Sequence, residues 1–129
     1  MNWRTFFRVL LAIFFVVAGA NHFRVPDIYL GMMPPWLPWP RALVQISGWA
    51  EILGGLGVLV PFTRRFSGWG LILLLIAVFP ANIHVALQGR MPGLEVSPLM
   101  LWLRLPLQIV FFAWVWWTAV ASLRNETLD

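Results

Sequence analysis

Apolar side chains run along this chain in four long stretches, separated by short segments that carry most of the prolines and charges. The stretches cover residues 3–21, 42–60, 67–86 and 99–121. The hydrocarbon core of a bilayer is about 30 Å thick, and a helix that rises 1.5 Å per residue crosses it with roughly 20 residues. The pattern therefore predicts an all-α fold, a polytopic membrane four-helix bundle.

The composition supports a single transmembrane domain over residues 1–129. Of these residues 60% are hydrophobic and 11% are charged, and the mean hydropathy is +0.80. A soluble domain of this length could not hide so much apolar surface, because small domains bury only part of what they expose. The first stretch follows Arg4 and Arg8 as the core of a signal peptide would. Its length and the three further spans favour a helix that is retained.

The net charge of +4 comes from nine arginines, and the chain has no lysine. In a soluble protein this excess would suggest a nucleic-acid partner, whereas here the arginines mostly flank the spans and none is expected. Four spans place both termini on one side of the membrane. That side carries five arginines against three, which predicts cytoplasmic termini. The five are Arg4, Arg8, Arg64, Arg65 and Arg124, and the three are Arg24, Arg41 and Arg90.

Two of the four stretches end in an asparagine and a histidine. The first closes with "AGANHFRV", which contains Asn21 and His22, and the third closes with "FPANIHVA", which contains Asn82 and His84. Both pairs fall at the outer end of their predicted helix. They are either ordinary polar helix ends or two walls of one site inside the membrane.

The second and fourth stretches each carry one charge inside the apolar run, Glu51 and Arg104. The pattern therefore predicts two tandem helical hairpins, residues 1–60 and 61–121. Repeats of this kind often build a site at their interface. At 1.5 Å per residue, Glu51 lies roughly 14 Å and Arg104 roughly 8 Å below the outer boundary. An isolated charge at mid-membrane costs about 2.5–3.5 kcal/mol, so we predict that the two residues pair. The pair is either a structural clamp or a functional carboxylate held by the arginine.

The segment between the first two spans contains "MMPPWLPWP", whose four prolines in nine residues exclude a regular helix. We expect it to lie on the outer membrane surface as an anchor or to fold over the mouth of the bundle. Polar residues are concentrated in this outer half, which predicts an outer-leaflet ligand pocket. The candidate residues are Glu51, Arg104, His84, Asn82, His22, Asn21, Gln108, Trp36 and Trp39.

The two histidines admit three roles. Each is a structural or interfacial residue, a group that transfers a proton or contacts a ligand, or an axial ligand of haem. Haem is disfavoured because nothing in the spacing requires ligation, and no metal is predicted. Cysteine is absent, which excludes disulfides and thiol relays. A quinone is the candidate cofactor, because its carbonyl oxygens need a hydrogen-bond donor and its reduction needs a proton source.

One family resembles this chain over residues 19–86. The ordered strings "GANHF", "MMPPWLPWP", "SGWAEILGGLGVLVPFTRR" and "GLILLLIAVFPANIHVA" are similar to those of the DoxX family of small four-helix membrane proteins. The resemblance implies a four-helix bundle in the bacterial plasma membrane. It also implies either a subunit or partner of a quinone-linked oxidoreductase, as in some members, or a chaperone-like factor, as among eukaryotic relatives. It supplies no set of catalytic residues.

Two functions follow as hypotheses. The first is an accessory subunit or partner of a quinone-linked membrane redox system, with Trp36 or Trp39 against the quinone ring in the outer-leaflet pocket. The alternative is a non-enzymatic membrane assembly or chaperone-type factor whose polar residues only fix the bundle. The expected partners are the lipid bilayer, a membrane or periplasmic redox protein, and a second copy of the chain in a homo-oligomer.

Overall fold

The computed structural model describes residues 2–90 and 96–121 of the 129-residue chain. The described part consists of helices and connecting segments, and it confirms the all-α four-helix arrangement. The bounds of the four spans lie within three residues of those predicted from the sequence, with the π-helical turn that follows the last helix counted in the fourth span. The helices are α1 (Trp3–Arg24), α2 (Pro26–Met32), α3 (Pro40–Leu59), α4 (Arg64–Gln88) and α5 (Pro98–Val115), and α5 continues into a π-helical turn (Trp116–Val120).

Local chemistry explains where several helices begin and end. The side chain of Asn2 accepts a hydrogen bond from the backbone N–H of Thr5 (2.8 Å), which caps the N-terminus of α1. Ser97 caps α5 in the same way through the N–H of Met100 (3.3 Å). At the other end of α4, Gly89 adopts a φ of 73°, the left-handed conformation that commonly terminates a helix.

Helices α1, α3, α4 and α5 are long and apolar enough to cross a membrane, and the chain is a multi-pass membrane protein. They form a ring in which α1 packs on α3, α3 on α4 and α4 on α5, and the end of α5 returns to α1. Helices α3 and α5 therefore lie diagonally across the ring. Apolar side chains such as Leu53, Leu73 and Ile109 project outward with more than 60% of their surface exposed, as expected of side chains that face lipid.

The seam between α1 and α3 is built from glycines. A Cβ atom on Gly19 would lie 2.6 Å from the carbonyl oxygen of Gly48, and one on Gly55 would lie 3.0 Å from the carbonyl oxygen of Ala12. Small residues allow this close approach of two membrane helices, where van der Waals packing replaces the hydrophobic driving force. The first hairpin is therefore closed tightly along its length.

Hydrogen bonds from long side chains to backbone carbonyls join the helices at the end of the bundle with Trp3 and Arg64, which we call the inner end after the orientation predicted from the charges. Arg8 donates to the carbonyl of Thr118 (2.8 Å), and Arg64 donates to the carbonyl of Val58 (2.7 Å). Arg8 and Arg64 are 4% and 6% exposed. Arg124, which the charge count placed on this side, lies outside the described residues.

The outer end, which is the end with Arg24 and Gln88, is covered by α2. This seven-residue helix was not predicted from the sequence. Pro26 occupies its first turn, where the missing N–H costs nothing. Met32 of α2 packs with Val85 and Ala86 of α4 and Leu101 of α5 in a small apolar cluster. Residues 33–39 are irregular, as the prolines predicted.

Candidate functional site

His22 and Glu51 meet at the seam between α1 and α3. Nδ1 of His22 lies 3.3 Å from Oε2 of Glu51, and the two side chains are 9% and 15% exposed. The same Nδ1 lies 2.8 Å from the carbonyl oxygen of Ala18, which only accepts, so this nitrogen carries a proton. Gly48 makes the contact possible, because a Cβ atom there would lie 2.8 Å from Cβ of His22.

Tyr29 of α2 covers this pair from the outer side. Its ring stacks on the imidazole of His22 with a centroid distance of 3.9 Å and an interplanar angle of 18°. Burial, together with the nearby carboxyl group of Glu51, raises the pKa of the Tyr29 phenol, so the phenol keeps its proton and remains a donor. Sequence reasoning missed this residue. The available signal was that Tyr29 is the only tyrosine of the chain and lies in the segment between the first two spans.

Arg104 lies on α5 in the same half of the bundle. Its neighbour Leu105 packs, as Tyr29 does, against the apolar cluster of Met32, Val85, Ala86 and Leu101. Nη1 of Arg104 is fully buried and has no hydrogen-bond partner among the described residues. Oε2 of Glu51 likewise accepts no hydrogen bond within residues 2–90 and 96–121, although it touches His22.

The predicted pairing of Glu51 with Arg104 is wrong, because the partner of Glu51 is His22. The physical reason is the order of the helices around the ring. Glu51 lies on the α3 face that packs against α1, whereas Arg104 lies on α5, diagonally across the bundle. Depth alone put the two charges in one leaflet, but depth carries no information on which helices are neighbours.

Asn82 and Gln108 form a second polar contact, between α4 and α5. Nδ2 of Asn82 donates to Oε1 of Gln108 (2.6 Å), and Nε2 of Gln108 donates to the carbonyl oxygen of Leu75. Pro80 lies between these two positions of α4 and has no N–H to donate within the helix. The amide of Gln108 is thus bound on both of its atoms and links the helices of the second hairpin.

The remaining predicted site residues lie elsewhere. Asn21 accepts a hydrogen bond from Nε of Arg24 (3.0 Å) at the outer edge of α1. His84 lines a half-open cavity of about 190 Å³ at the mouth of the bundle, beside Arg90 and the irregular segment after α2, and neither Glu51 nor Arg104 lines that cavity. Trp36 and Trp39 are 71% and 76% exposed and therefore cover no pocket of the bundle. The nine candidate residues are divided among several places.

Comparison with known families assigns the chain to one family. The family described as "Domain of unknown function (DUF8561)" matches residues 11–119. The chain belongs to this family. No curated protein and no solved structure matches the sequence.

The DUF8561 match includes parts of all four membrane helices and contains His22, Tyr29, Glu51 and Arg104. These residues supply a guanidinium with one buried, unpartnered nitrogen, a phenol, and an imidazole–carboxyl contact that can hold a proton. Such a set can bind an oxygen-bearing head group and exchange a proton with it. The described residues bring together no group of three or more His, Asp or Glu side chains that could hold a metal ion.

Proposed function

We propose that this DUF8561 protein is a quinone-binding accessory subunit of a membrane redox system in the bacterial plasma membrane. The observation that carries the proposal is the buried Nη1 of Arg104, which has no hydrogen-bond partner among the described residues. Burying a charged donor without an acceptor is costly, and ionisable residues inside a bilayer commonly mark functional sites. A ligand oxygen would supply the missing acceptor.

The residues around Arg104 suit a quinone head group in particular. Arg104 stays charged under all physiological conditions and offers N–H groups to a carbonyl oxygen. Tyr29 keeps its phenolic proton and presents a second donor. His22 and Glu51 lie next to each other beneath the ring of Tyr29. Nδ1 of His22 carries a proton that the carboxyl group of Glu51 can accept. A bound quinone would supply the electron-carrying carbonyls, and electrons would come from a partner protein in the membrane or periplasm.

The resemblance to the DoxX family supports this proposal from a different direction. The strings that carry it include "GANHF" with His22 and "SGWAEILGGLGVLVPFTRR" with Glu51, so both halves of the α1–α3 contact lie inside the similar region. Some members of that family act with quinone-linked oxidoreductases. Tyr29 also falls between these strings, whereas Arg104 lies beyond residue 86, where the resemblance ends.

A membrane assembly or chaperone-type factor is the second candidate, and one observation favours it. The His22–Glu51 contact joins α1 to α3, and the Asn82–Gln108 contact joins α4 to α5. Polar contacts of this kind fix helix packing without any ligand. In that case the buried, unpartnered Nη1 of Arg104 has no role, which is why the quinone site is preferred.

Purification of the full chain in mild detergent tests the proposed function. We expect mass spectrometry of the extracted lipids to find close to equimolar quinone, and the absorption spectrum to show its reducible band. An unrelated four-helix membrane protein, purified from the same cells, is the control for quinone carried in the micelle. Quinone at the control level would rule out the redox proposal and leave the assembly factor.

The orientation of the chain is part of the proposal, and both termini are placed in the cytoplasm. Arg4 lies over the ring of Trp117 at 5.7 Å, at the same end as Arg8, Arg64 and Arg65, so four arginines of the described residues gather at the inner end. Positive charge favours the cytoplasmic side.

Reporter fusions check this orientation. A reporter active only in the cytoplasm should be active after Asp129 and inactive when inserted near Gly93, and one active only in the periplasm should give the reverse. Asp129 and Gly93 lie outside the described residues. Periplasmic activity after Asp129 would overturn the orientation.

A further inference from the structure

The half-open cavity at the mouth of the bundle is lined in large part by polar side chains. It measures about 190 Å³ and lies between the end of α4 and the segment that contains the end of α2. Side chains that donate hydrogen bonds belong to three of its lining residues, His84, Gln88 and Arg90. The other lining residues are Gly31, Pro35 and Val85.

The three donors of this mouth cavity are not used elsewhere. Within residues 2–90 and 96–121, the side chains of His84, Gln88 and Arg90 make no hydrogen bond and no ion pair. Other polar side chains of the same half of the bundle are paired, since Asn82 donates to Gln108 and Arg24 donates to Asn21. A ligand in the mouth cavity therefore meets donors for which no described protein acceptor competes.

The charge of the mouth cavity favours an anion. Arg90 is charged at every physiological pH, and no Asp or Glu among the described residues lines the cavity. The C-terminus of α4 contributes a partial negative charge of about half an elementary charge. The N–H of Gly89 already binds the carbonyls of Val85 and Ala86 there. The full positive charge of the guanidinium exceeds this partial charge.

The number and placement of the donors distinguish between kinds of anion. A guanidinium commonly binds two oxygen atoms of a carboxylate or phosphate side by side. His84 and Gln88 are i, i+4 neighbours on one face of α4 and add two further donors. A carboxylate has no oxygen left for them, whereas a phosphate group has. The volume of the cavity equals that of about six water molecules at roughly 30 Å³ each, which is enough for a phosphate group.

The depth of the mouth cavity matches that of lipid phosphates. Counted from Arg64 at the inner end, a hydrocarbon core of about 30 Å ends roughly 20 residues later, near His84. Gln88 lies about 6 Å further out at 1.5 Å per residue, and Arg90 follows it. The head-group layer begins at that level. The polar part of a phospholipid therefore reaches the cavity without entering the bundle.

We propose that the mouth cavity is a binding site for a phosphate group, which Arg90 holds by two oxygens while His84 and Gln88 donate to the others. A phospholipid head group and free phosphate present the same oxygens, and the depth of the cavity favours the lipid. The site is separate from the proposed quinone site, because neither Arg104 nor Glu51 lines the cavity. It does not depend on the redox function.

Native mass spectrometry of the full chain in mild detergent tests this inference. The probes are dioleoyl phosphatidylglycerol, dioleoylglycerol, which lacks the phosphate, and inorganic phosphate. R90Q removes the charge of the cavity, and H84L removes one of its neutral donors. Arg41 is an exposed arginine at the same end of the bundle and does not line the cavity, so R41Q is the matched control.

We expect R90Q to weaken binding of phosphatidylglycerol at least about tenfold, because hydrogen bonds to a charged group are among the strongest. H84L should weaken it by about threefold, as is usual for one neutral donor, and R41Q should stay within about twofold of the unaltered protein. Dioleoylglycerol should not bind, and inorganic phosphate should displace the lipid. Arg90 is exposed, so R90Q should keep the melting temperature of the unaltered protein.

The same measurements separate the two sources of phosphate and can overturn the site. Binding of inorganic phosphate that depends on Arg90, without binding of the lipid, would support the site and identify free phosphate as its ligand. Equal losses in R90Q and R41Q would overturn it, because only the general positive charge of the outer end would then matter. Binding of dioleoylglycerol as tight as that of phosphatidylglycerol, or no binding of either phosphate probe, would also overturn it.

Discussion

Replacing Arg104 by methionine should abolish quinone binding and, compared with unaltered protein from which the quinone has been extracted, raise the melting temperature. In the folded state Nη1 of Arg104 is buried without an acceptor, whereas in the unfolded state in detergent the side chain reaches water. An unsatisfied buried donor costs about 1–3 kcal/mol, and more when it is charged, so its removal should increase the free energy of unfolding by at least about 1 kcal/mol. Most substitutions in a protein core lower the free energy of unfolding, so an increase in R104M would be informative.

The measurement combines a thermal melt in detergent with the quinone content of the same preparation. Arg41 is an exposed arginine at the outer end of α3, so R41M is the control for the loss of a positive charge and should change neither quantity. An R104M protein that has a lower melting temperature and keeps its quinone would contradict this prediction. That result would mean that the guanidinium has a structural partner and no ligand.

The second large effect is expected at the contact between His22 and Glu51. H22F keeps a flat ring under Tyr29 but removes the group next to the carboxyl of Glu51. Loss of one partner leaves the polar atoms of the other buried and unsatisfied, which typically costs about 1–3 kcal/mol. The double variant H22F/E51Q should recover a substantial part of this loss, because a neutral amide costs less to bury than a carboxylate.

A double-mutant cycle on the free energy of unfolding gives the coupling directly. His84 serves as the control, because it is half-buried at the mouth cavity and makes no hydrogen bond within the described part of the chain. H84F should change the free energy of unfolding by no more than about 0.5 kcal/mol, as is usual for positions away from such contacts. Additive effects of H22F and E51Q would mean that the contact contributes no coupling energy.

The spans could be predicted from the sequence because a bilayer demands some 20 consecutive apolar residues, and no other arrangement meets that demand with so few charges. The concentration of polar residues in one half of the bundle was equally visible. The depth of a residue follows from the number of residues that separate it from the end of its helix. This count placed His22, Glu51 and Arg104 in one leaflet.

Neighbour relations could not be predicted in the same way. The direction in which Glu51 points depends on which helix packs on α3, and that is decided by glycines whose contacts appear only in three dimensions. Helix α2 was missed for a different reason, since seven residues between prolines are too short to show a helical period. Because α2 was not predicted, Tyr29 was not predicted as a site residue either, and the link that it provides between the two sides of the site was missed.

Helix α2 also has a consequence for how the protein is made. Synthesis proceeds from the N-terminus, and the first hairpin, with His22 and Glu51, can insert and close as soon as α3 has left the ribosome. Tyr29 and Met32 cannot complete their packing until α4 and α5 have been synthesised, because α2 packs against Val85 and Ala86 of α4 and Leu101 of α5. We therefore expect α2 to complete its packing only when α5 arrives, and α5 is also the helix that delivers Arg104.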